Sequence, residues 1–71
     1  MHLVATYTNP GLLIAATTRP PFGPGFNEAE AREADKMEVR GTNAKDSGPD
    51  FCVFHLFKDG KELRSKKVMG Y

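Results

Sequence analysis

The chain is short of almost everything that would announce a chemistry. It holds a single cysteine, Cys52, so an internal disulfide is impossible, and one thiol with two histidines in no close-spaced pair falls short of a zinc site. The lone thiol and the lack of any Asn-x-Ser/Thr acceptor fit a reducing compartment, and a cytoplasmic location is expected. The longest apolar run, residues 12–16, is too short for a signal core or a membrane span, and no basic segment precedes it. Neither a targeting segment nor a membrane partner is expected. Nothing repeats at a fixed period, and no tract is of low complexity. No glycine-rich phosphate loop follows a strand to open a helix, and no Gly-x-Ser-x-Gly occurs, so neither a cofactor nor an enzymatic activity is expected.

Size sets a further limit. The 71 residues and 7.8 kDa provide for one small α+β domain over residues 1–71. Hydrophobic residues make up 39% of the chain, and seven of them are alanines, which leaves a thin supply for a core. A core of this size rarely supplies more than roughly 3–5 kcal/mol, so small domains lean on disulfides, metals or a second subunit. With the first two removed, a homodimer is the expected state.

The net charge of +1 conceals a polarity. Residues 26–50 carry seven acidic and four basic side chains, whereas residues 51–71 carry five basic and two acidic ones. An acidic middle beside a basic end suits internal complementarity, contact between subunits, or a basic face for an anionic partner.

Residues 2–8 alternate and are rich in Val, Thr and Tyr, the pattern of a strand. Asn9-Pro10-Gly11 breaks it, and residues 12–18, apolar on both faces, read as a second, covered strand, with one turn of buried helix as the alternative. Residues 19–26 hold three prolines and two glycines and form a connector whose Phe22 and Phe26 are expected to enter the core. Its Arg19-x-Pro21-x-x-Pro24 spacing resembles a polyproline ligand only superficially, because the glycines weaken the preformed helix. Residues 27–37 predict a helix capped by Asn27, with Glu30 three residues on and a thin stripe of Ala29, Ala31, Ala34 and Met37. Residues 37–42 alternate as a half-buried strand, and residues 43–50 are turn-rich. The expected order is β-β-α-β-β-β: an antiparallel or mixed sheet of about five strands, one short helix on one face, and a C-terminal β-hairpin.

That hairpin, residues 51–57 joined to residues 61–69 through Asp59-Gly60, dominates the chain. A two-residue turn with unbroken pairing sets His55 opposite Arg64 and Val53 opposite Lys66. Cys52, Phe54, Leu56 and Leu63 then share the core face, while Phe51, Val53, Phe57 and Val68 share the other with His55, Arg64 and Lys66. A bulge would move the last strand by one and redistribute its side chains. The candidate binding surface is Phe57, His55, Arg64 and Lys66 of that face, together with the neighbouring Lys67. Aromatic rings among cations suit a nucleic-acid platform, but burial by the N-terminal hairpin or a second subunit suits them better, because the isoelectric point near 7.9 is low for a dedicated nucleic-acid binder.

Other clusters carry little. Cys52 and His55 lie three apart in a strand and point to opposite faces, poor geometry for a nucleophile and its base, so Cys52 reads as a buried structural thiol. Asp46, Ser47 and Asp50 lack the spacing of an EF-hand loop, and turn formation accounts for them. No metal site is expected. The reading that follows is a small self-associating protein that acts by binding another protein, with a nucleic-acid binder as the alternative.

Overall fold

The computed structural model describes residues 2–20, 22–41 and 51–69. Among these, six elements follow in order: β1 (His2–Tyr7), α1 (Gly11–Thr17), α2 (Glu28–Glu33), β2 (Lys36–Gly41), β3 (Phe51–Lys58) and β4 (Lys61–Met69). The strands form one antiparallel sheet in the order β1-β2-β3-β4. The class is α+β, with four strands and two helices among the described residues.

The strand expected over residues 12–18 is instead helix α1. Leu12 and Ala16, four apart, are both fully buried, whereas Ile14 between them is 73% exposed. That is the period of a helix, since a strand would place all three on one face. Leu and Ala are strong helix formers, and the last turn is closed by its own threonines. Thr17 Oγ1 donates to Leu13 O at 2.8 Å, and Thr18 Oγ1 donates to Ile14 O at 2.8 Å beside the Thr18 amide, which donates to the same carbonyl at 3.2 Å.

Helix α2 starts where its cap predicts and ends early. The Glu30 amide donates to Asn27 Oδ1 at 2.8 Å, and Asn27 Nδ2 donates back to Glu30 Oε1 at 3.0 Å. Ala34 then turns extended, and the Asp35 amide donates to Phe57 O at 2.9 Å. The chain is thereby drawn onto β3, and Met37 joins the sheet rather than the helix.

Both helices lie on the same side of the sheet. From the helix layer come Leu12, Ala16, Phe26, Ala31 and Ala34; from the sheet come Met37, Val39, Cys52, Phe54, Leu56 and Val68. The connector sends Phe26 into this core but leaves Phe22 83% exposed. Tight turns explain the difference. The amides of Phe22 and Gly23 donate to Arg19 O, that of Gly25 to Thr18 O and that of Phe26 to Ala16 O. Pro24 is buried within this folded loop, which is not the extended form of a polyproline ligand. Asp46, Ser47 and Asp50 lie outside the described residues.

Candidate interaction face

The helices cover one face of the sheet, and period-two alternation sends every other strand residue to the opposite, open face, over which no described element lies. On β3 these are Phe51, Val53, His55 and Phe57, all half-buried. On β2 they are Lys36, Glu38 and Arg40, also half-buried. Leu3, 51% exposed, pairs with Arg40 at the β1 edge, and Met69, 49% exposed, pairs with Phe51 at the β4 edge.

The hairpin register differs from unbroken pairing. Asp59 (φ 52°) and Gly60 (φ 78°) both adopt the positive φ of a type I′ turn, and Lys58 faces Lys61 as a two-residue turn requires. The Asp59 amide also donates to Asp35 Oδ2 at 3.1 Å, tying the turn to the start of β2. After Phe57 and Glu62 the register shifts, so that Leu56 faces Arg64 and Leu63 is the extra residue of a β-bulge. Beyond the bulge every assignment changes side. His55 faces Ser65 and not Arg64, Val53 faces Lys67 and not Lys66, and Cys52 faces Val68.

The burial pattern follows this register. It places Val68 in the core at 5% exposure, whereas Leu63, expected in the core, is 41% exposed. Of the five candidate residues, His55, Phe57 and Lys67 share the open face. Arg64 and Lys66 lie on the helix side. Lys66 Nζ sits 3.4 Å from Gly25 O and 5.3 Å from the centroid of Phe26, and Arg64 Nε lies 3.6 Å from Glu30 Oε1.

The open face mixes rings and charges of both signs. Glu38 Oε2 lies 3.2 Å from Lys36 Nζ, and its Oε1 lies 3.1 Å from Arg40 Nη2. The Lys36 hydrogen bond first, then that of Arg40 and the charges of both, hold the Glu38 carboxyl below its ordinary range against the opposing effect of partial burial. His55 Nδ1 lies 2.5 Å from Glu62 Oε1, and the ring sits 6.3 Å from Phe57. Lys36 Nζ stands 5.0 Å above Phe57, and Lys67 Nζ stands 4.2 Å above Phe51, both within cation–π range.

Lys36, Glu38 and Arg40 are absent from the sequence-derived surface. The alternation of Glu38 and Arg40 marks a wet strand face, but Lys36 falls within the expected helix, and placing that face beside the hairpin requires the strand order. Among the described residues no three His, Cys, Asp or Glu side chains gather as a metal site, no pocket opens, and no helix is long and apolar enough to cross a membrane. No family model, curated protein or solved structure matches the chain.

Proposed function

We propose that this chain is a small non-enzymatic protein that self-associates and acts by binding another protein. The carrying observation is the row Phe51, Val53, His55 and Phe57 on a central strand, half-buried on the face opposite both helices. Apolar surface left to water on a sheet face is an association surface, with each Å² covered contributing on the order of 25 cal/mol. The same face carries Glu38 and Glu62 among Lys36, Arg40 and Lys67, a mixture that suits a protein better than a polyanion. Ile14 and Phe22, apolar side chains 73% and 83% exposed, are each available to a different partner. A cytoplasmic setting accords with the single cysteine.

Sedimentation equilibrium tests the self-association. The mass is expected to rise above the 7.8 kDa monomer with concentration, and Phe57→Asp to return it to the monomer. A monomeric mass throughout overturns this part. Retention of a host protein on the immobilised chain, lost with Phe22→Ala, tests the other part.

A second reading has its own support in the two cation-capped rings, Lys67 over Phe51 and Lys36 over Phe57. Rings for base stacking beside cations for phosphates are the elements of a single-strand platform. Anisotropy of labelled oligonucleotides at about 50 and 200 mM salt tests it, because phosphate-driven affinity falls steeply over that range. Binding that is lost with Lys36→Ala and Lys67→Ala favours this reading, and absence of binding at the lower salt removes it.

A further inference from the structure

The open face is complementary to itself. On the two central strands one cross-strand row holds Arg40 beside Val53, and the next holds Glu38 beside His55; Phe51 and Phe57 lie one row further out at either end of β3. Consider two such faces stacked, related by a two-fold axis lying between them, perpendicular to the strands and midway between those two rows. Each strand then lies over its own copy while the row order is reversed. Arg40 meets the partner's Glu38, Glu38 meets the partner's Arg40, Val53 meets the partner's His55, and Phe51 meets the partner's Phe57.

We propose that two copies of this chain pair open face to open face about this axis, with the reciprocal Arg40–Glu38 contacts setting the register. The inference rests on the self-association reading above and names its partner and geometry. A two-fold axis parallel to the strands, between β2 and β3, serves less well. It sets Arg40 against the partner's Val53, with no carboxylate opposite. Stacked sheets lie about 10 Å apart with strands aligned to within about 30°, so residues on β2 and β3 nearest the axis stay in register while the outer strands splay. The charged pairs supply orientation more than affinity, since desolvation offsets much of their attraction.

The test is a charge exchange read by sedimentation equilibrium, with circular dichroism confirming that each variant is folded. Glu38→Arg and Arg40→Glu each set like charges against one another across the axis and are expected to weaken dimerisation at least about tenfold. The double variant restores opposite charges at both contacts and is expected to recover the wild-type constant to within about threefold. A second measurement needs no substitution: in a mixture of differently isotope-labelled wild-type chains, the Phe51 ring should show intermolecular NMR contacts to the Phe57 ring. A dimer that ignores the charge changes, or whose double variant stays as weak as the single ones, overturns this geometry while self-association stands. Contacts from Phe51 to the partner's Phe51 do the same. A chain monomeric at every concentration overturns both.

Discussion

At Gly23 the connector folds back so closely that a methyl group has nowhere to go. A Cβ there would stand 2.6 Å from Thr18 O and 3.0 Å from Ala15 O, both backbone atoms of the α1 end that cannot swing aside. Gly23→Ala is expected to cost about 1–3 kcal/mol in urea unfolding, the range for overpacking a fitted site. Glu38 makes a different prediction. Its carboxyl is held below the ordinary range when folded, so its contribution to stability is fully present above the unfolded carboxylate value and is lost as pH falls through the folded one. Glu38→Gln should lower the thermal midpoint at neutral pH and flatten its decline in acid, with the two proteins converging at the lowest pH. Parallel declines would contradict the ion-pair account.

At the scale of the element, the C-terminal hairpin depends on its bulge. If Leu63 is the extra residue and Val68 a core side chain, Leu63→Ser should change stability by less than about 0.5 kcal/mol. Val68→Ala should cost about 1–3 kcal/mol under the same denaturant titration. Unbroken pairing predicts the reverse order. The positive-φ turn is legible because Asp-Gly has few other uses between two strand-like runs, and the α2 cap is legible because Asn27 and Glu30 announce it locally. Helix α1 is not, since a five-residue apolar run fits a covered strand and a buried helix alike until Ile14 is seen to face water. The same limit divides the candidate surface. His55 and Phe57 sit on β3, whose alternation is continuous, but Arg64 and Lys66 lie beyond a bulge that no residue type signals. Lys36, Glu38 and Arg40 join the face only through β2–β3 pairing, a contact between segments distant along the chain.

For the whole molecule, the balance is set by a core in which, among the described residues, three of the eleven buried hydrophobic side chains are alanines. Such a core leaves little margin, and a second subunit would add to it. The thermal midpoint of the wild-type protein should therefore rise with its concentration, by mass action. A midpoint independent of dilution would assign all the stability to the monomer. The bulge gives this small sheet a parity. Arg64, Lys66 and Val68 face the helices and Ser65, Lys67 and Met69 face away only because one residue is counted out of step. A single codon inserted into β4 beyond Leu63 would exchange the two sets, sending a lysine toward the core position of Val68 and the valine to the surface. This part of the chain should tolerate many substitutions and very few insertions or deletions, a pattern that a library of single-codon indels would show as a sharp boundary at the bulge.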